Sequence, residues 1–99
     1  KFTKVSGISY LTIHARMWSY NEDNDGYYPI LKIIVGGVTG EVKGIVAGTR
    51  GSRTPTWFTG TSFDVSFLTN GSVYLLEVSL GNNTSSGGSF CSDVVVIGS

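Results

Sequence analysis

At 99 residues the chain reads as one domain spanning 1–99, which excludes a two-domain plan, and its single cysteine, Cys91, excludes an intrachain disulfide. Seven Lys and Arg balance seven Asp and Glu, and a nucleic-acid partner would demand a basic excess that this balance lacks. The longest apolar run, 94–97, is too short for membrane insertion, and 14 glycines set among β-branched and aromatic residues speak for strands over helices.

The predicted elements are six strands at 8–20, 29–35, 38–46, 56–69, 72–80 and 90–97, with a short extra strand near 2–5. In the first long strand Leu11, Ile13, Ala15 and Met17 alternate with Tyr10, Thr12, His14, Arg16, Trp18 and Tyr20. Strand side chains point alternately to opposite faces, so the odd set reads as core and the even set as one aromatic and polar face. Gly36-Gly37 reads as a two-residue hairpin turn, with Val35 facing Val38, Ile33 facing Gly40, Leu31 facing Val42 and Lys32 opposite Glu41. The strand at 56–69 carries Gly60, a point where it can break.

Asn70-Gly71 between two alternating runs is a strong type I′ hairpin signal. A two-residue turn there sets Phe67 against Tyr74, Val65 against Leu76 and Phe63 against Val78, with Asp64 opposite Glu77 on the polar face. The last strand is apolar on both faces and reads as central. Antiparallel strands with one apolar face each bury those faces economically as a two-sheet β-sandwich, and a small closed β-barrel is the alternative. Three loops join them: acidic at 21–28, basic at 48–55 and uncharged at 81–89.

The candidate site begins with the even face of the first strand. A pyranose offers an apolar C–H face that stacks on an indole or phenol ring, and a hydroxyl rim that needs fixed donors and acceptors. Tyr10, Trp18 and Tyr20 are the expected platforms, with His14, Arg16, Asp64 and Glu77 as hydrogen-bond partners; an ordinary solvated face is the plainer reading. Asp64 and Glu77 also invite comparison with a glycosidase pair, which needs its carboxyl groups about 5–10 Å apart. A solvated acidic pair beside a cation is the first expectation for them, a hydroxyl-accepting role the second and catalysis the third.

Asn21-Glu22-Asp23-Asn24-Asp25-Gly26 reads first as a plain turn; an EF-hand loop would need a Glu where Lys32 stands, and an irregular calcium site is the alternative. Arg50 and Arg53 form a basic tip near Trp57, suited to a carboxylate or sulfate and also to simple solubility. One histidine and one cysteine leave no room for a His/Cys metal cluster, and no nucleophile signature occurs. Cys91 reads as a small apolar packing residue. The sequons Asn70-Gly71-Ser72, Asn82-Asn83-Thr84 and Asn83-Thr84-Ser85 fall in predicted turns and hint at secretion.

Its size, the single cysteine and the stretches 2–18 and 59–80 give the chain a resemblance to the small slime-mould haemagglutinins grouped with the legume-lectin-like proteins. The resemblance implies an extracellular lectin of two facing antiparallel sheets that binds glycoprotein glycans on its concave face or rim loops. Legume lectins bind through loop residues organised by calcium and manganese, and no positions here correspond to that set. His14-Ala15-Arg16 is similar to part of the galectin sheet motif. The stretch from Gly81-Asn82-Asn83 to Gly88-Ser89-Phe90 is similar to the end of the calcium-dependent bacterial galactose lectins, whose metal-binding Asp would fall on Leu75.

The expectation is therefore a secreted, non-enzymatic, carbohydrate-binding β-sandwich, in which a homodimer or clustered sites would supply avidity because one shallow site binds weakly. An adhesin-type protein interaction module and a small carbohydrate-active enzyme using Asp64 and Glu77 are its rivals.

Overall fold

A computed structural model describes residues 1–20, 27–51, 53–83 and 88–99, with Tyr20 described through its backbone alone. All the regular structure in it is strand: β1 (Phe2–Thr3), β2 (Tyr10–Tyr20), β3 (Pro29–Val35), β4 (Lys43–Ala47), β5 (Thr56–Thr59), β6 (Phe63–Asp64), β7 (Val73–Tyr74), β8 (Leu76–Asn82) and β9 (Gly88–Gly98). Among the described residues the strands form two antiparallel sheets and one small pair, and no sheet closes into a barrel. In the first sheet β2 is central, with β9 along one side and β5 and β6 in succession along the other. In the second β3 lies between β4 and β8, and β1 pairs with β7 apart from both.

The alternation of β2 does what its pattern dictates. Leu11, Ile13, Ala15 and Met17 are buried, and they meet Leu31, Ile33 and Val35 of β3 and Val46 of β4. Full burial of a side chain such as Ile13 or Ile33 contributes about 1.5–3 kcal/mol. Two apolar clusters result, one around Ile13, Met17 and Ile33 and one around Leu11, Val35, Val65 and Leu68. Phe63, Leu76 and Val96 touch both.

Both expected hairpins differ from the structure, in different ways. Between β3 and β4 the pairs are Leu31 with Val46 and Ile33 with Gly44, a register displaced by four residues from the two-residue turn. Lys32 consequently faces Ile45 and not Glu41. An even displacement keeps every side chain on its expected face, so Leu31 and Ile33 point to the core in either register while their partners across the ladder change. The longer connection, closed by a hydrogen bond from Val35 N to Val42 O, lets Val38 and Val42 pack into the second cluster.

The Asn70-Gly71 turn forms, but the hairpin around it does not. Ser72 N donates to Thr69 O, Gly71 has φ +85°, and no described non-glycine residue has positive φ, which makes this turn type II and not type I′. The strands it was expected to pair go elsewhere. Phe63 and Asp64 pair with Leu11 and Tyr10, Tyr74 with Phe2, and Val78 with Ile33. The reason lies in an anchor on the N-terminal segment. Lys4 O accepts from Gly71 N, Lys4 N donates to Ser72 O, and Lys4 Nζ donates to Asn70 Oδ1 at 2.8 Å and to Val5 O at 2.9 Å. Lys4 is only 3% exposed, so these oxygens replace the water its ammonium gives up.

The expected strand at 56–69 does break at Gly60. Its backbone packs so close to β4 that a Cβ would stand 2.6 Å from Ile45 O, and Gly60 N donates to Ile13 O. β9 is not central: among the described residues it pairs with β2 alone and forms an edge of its sheet.

Candidate functional site

Partners directly opposite in an antiparallel ladder point to the same side, so the register of the first sheet defines its outer face row by row. Trp18 lies beside Phe90, their rings stacked with centroids 5.5 Å apart and planes 13° apart. Arg16 lies between Asp93 and Trp57, and Arg16 Nη1 is 3.9 Å from Asp93 Oδ2. His14 lies between Val95 and Thr59, with Nδ1 hydrogen-bonded to Thr59 Oγ1 at 3.0 Å. Thr12 is beside Ile97 and shares a 2.6 Å hydrogen bond with Ser62 Oγ. Tyr10, half exposed, faces Asp64.

Of the residues expected from the sequence, Tyr10, His14, Arg16, Trp18 and Asp64 therefore share one face. Tyr20 belongs to the same strand by its backbone, paired with Gly88. Glu77 does not join them. It pairs with Ile34 on β3 and lies on the outer face of the other sheet, so it is not opposite Asp64. The hairpin that would have juxtaposed the two carboxylates is the one that the Lys4 anchor redirects. Asp64 instead accepts from Ser66 N at 2.7 Å, and these hydrogen bonds from Ser66 hold its carboxyl below the usual carboxylate range. It is therefore an ionised acceptor at neutral pH, and the two-carboxylate arrangement of a glycosidase is not assembled from this pair.

Sequence reasoning missed Trp57, Phe90 and Asp93, which the ladder brings onto this face from β5 and β9. Trp57 is 52% exposed and is the most open indole of the face. Its signal was present, since Thr56-Trp57-Phe58-Thr59 alternates, but its partner strand was not legible. Phe58 points inward into the first cluster and Trp57 therefore outward.

The outer face of the second sheet is of another character. Ile30, Lys32, Lys43, Ile45 and Ser79 line a shallow groove of about 340 Å³ there. The Lys43–Glu41 ion pair, with N and O 2.6 Å apart, lies on exposed side chains, and it holds the Glu41 carboxyl below its ordinary value.

The remaining candidates are placed as follows. The acidic loop at 21–26, with its irregular calcium reading, lies outside the described residues. Among the described residues no three His, Cys, Asp or Glu cluster as metal ligands. The Arg50 guanidinium sits over the Tyr28 ring at 5.9 Å from its centroid, which ties the basic loop to the start of β3. Asn82 ends β8 and is not in a loop, while Asn83 Oδ1 accepts from Tyr28 N at 2.9 Å. Burial raises the Cys91 thiol above its ordinary value, so it is a neutral packing group at pH 7. No described helix is long and apolar enough to cross a membrane. Compared with family models, curated proteins and solved structures, the chain matches none.

Proposed function

We propose that this protein is a lectin, a secreted, non-catalytic β-sandwich that binds glycans of glycoproteins on the outer face of the β2 sheet. One observation carries the reading. An exposed indole, Trp57, lies beside the Arg16–Asp93 pair on a face whose next rows are the hydrogen-bonded His14–Thr59 and Thr12–Ser62 pairs. A sugar ring stacked on Trp57 meets donors and acceptors that the sheet already holds in place, so little ordering is needed on binding. The resemblance to small haemagglutinins agrees with this, and the exposed Asn70-Gly71-Ser72 turn is compatible with a secreted protein.

The test is a glycan-array screen of the wild-type chain, with calcium and with chelator, repeated for Trp57→Ala and for Lys32→Ala on the opposite sheet. Selective binding that weakens about five- to tenfold in Trp57→Ala, the worth of one aromatic stack, and is unchanged in Lys32→Ala is the expected result. A blank array at high protein concentration, or equal binding by both variants, sinks the proposal. The chelator arm decides whether a metal organises the site. With a blank array, the exposed Phe90, Val95 and Ile97 beside the polar rows make the same face a protein-docking surface of the adhesin type.

A further inference from the structure

The two sheets meet differently at their two sides, and the side formed by β8 and β9 is left open. Leu80 and Val78 pair with Leu31 and Ile33, so they point to the core face, and Val94 pairs with Ala15 and does likewise. Yet Val78 is 51% exposed, Leu80 41% and Val94 39%, while their three row-mates are buried. The apolar layer runs out to this side and ends uncovered. Ser89 Oγ, on the same inner face of β9, is buried without a hydrogen-bond partner.

Backbone edges lie beside that apolar seam. Among the described residues β9 is paired on one side through ten of its 11 residues, all but Ser92 at the register shift, and β8 is paired with β3 alone. β9 has neither Lys nor Pro, the residues that usually blunt an edge; a register shift near Met17 and the charge of Asp93 are all that interrupt it. Such an edge is a template for another strand.

We propose that this side is a two-fold interface between copies of this chain, in which β9 pairs antiparallel with β9 of the second copy around Val95. Three features select a second copy as the occupant. The gap has two layers. A lone peptide strand would pair with β9 and leave Val78 and Leu80 of β8 bare. A second copy presents β9 and β8 at the same spacing, so one two-fold axis normal to the sheets covers both layers.

The register also conserves facing and separates charge. Pairing around Val95 sets Val94 against Val96 of the partner subunit on the inner face. It sets Asp93 against Ile97 of the partner subunit, so the two Asp93 carboxylates are not opposed, and each keeps the Arg16 of its own copy. The size suits a reversible dimer. An edge about 25–35 Å long and about 20 Å deep offers about 500–700 Å² per copy, at the lower end of specific interfaces. The interface would join the two β2 sheets into one continuous sheet and put two copies of the outer face side by side.

Sedimentation velocity of the whole chain from about 1 to 200 μM tests this, with Val95→Lys as the variant. Val95 is exposed on the outer face, so the substitution leaves the core intact and opposes two ammonium groups at the axis. A concentration-dependent rise to twice the 10.6 kDa monomer mass, lost in Val95→Lys at unchanged circular dichroism, is expected. The double variant Cys91→Ser, Val95→Cys, oxidised in air, fixes the register: a disulfide-linked dimer supports it, whereas Cys91→Ser, Ser79→Cys forms no disulfide-linked dimer. A monomer throughout the range, or a dimer that Val95→Lys leaves intact, overturns the proposal.

Discussion

The two sides of this molecule show how the same alternating strands can finish or leave unfinished a core. On the β4 side the sheets close upon each other through glycines. The Phe63 ring occupies the space where Gly44 would carry a Cβ, Pro29 and Phe58 crowd Gly48, and the backbone of Gly60 rests against Ile45 O. On the β8–β9 side the inward positions are valine and leucine, and nothing in the described chain reaches across to cover them. The comparison teaches that closure here is a matter of small residues at a few places.

Filling the closed side is the severest way to break that contrast. Gly44→Val forces the Phe63 ring and Ile13 Cδ1 aside in a packed core, and about 3 kcal/mol of stability should be lost. Urea unfolding followed by tryptophan fluorescence measures this, and a loss under about 1 kcal/mol would show that Phe63 has room to move. Val78→Thr on the open side is the mild counterpart. It exchanges one half-exposed methyl for a hydroxyl, so monomer stability measured at low protein concentration should change by no more than about 0.5 kcal/mol. A loss comparable to that of Gly44→Val would mean that the open side is covered within the monomer.

The sequence made the inner face legible because period-two alternation depends on one strand at a time. Leu11, Ile13, Ala15, Met17, Leu31 and Ile33 followed from that rule without knowledge of their partners. Strand pairing depends on distant residues, and there the sequence misled. Asn70-Gly71 marked a real turn, but the choice between a local hairpin and the pairing with β1 was made by Lys4, 66 residues away, whose isolated charge gives no hint that it is buried. Mispairing in turn displaced the site. With 63–64 assigned to the wrong partner, Asp64 and Glu77 were expected together, and Trp57, which a correct ladder places beside Arg16, was not expected in the site at all. Candidates carried on β2 itself suffered least, since one strand sufficed to place Tyr10, His14, Arg16 and Trp18 on a common side.

The four-residue displacement between β3 and β4 also bears on how the chain finds its structure. Both registers bury Leu31 and Ile33 on the same side, and the Gly36-Gly37 hairpin has the shorter loop, so it costs less entropy to close and can zip first. It then stands as a misregistered trap that must open before Val38 and Val42 reach the second cluster. Refolding at low denaturant should accordingly show rollover or a second phase, one that weakens when Gly36 is replaced by a residue that resists the tight turn. Single-exponential refolding with a linear limb would mean that the chain never pauses in that register.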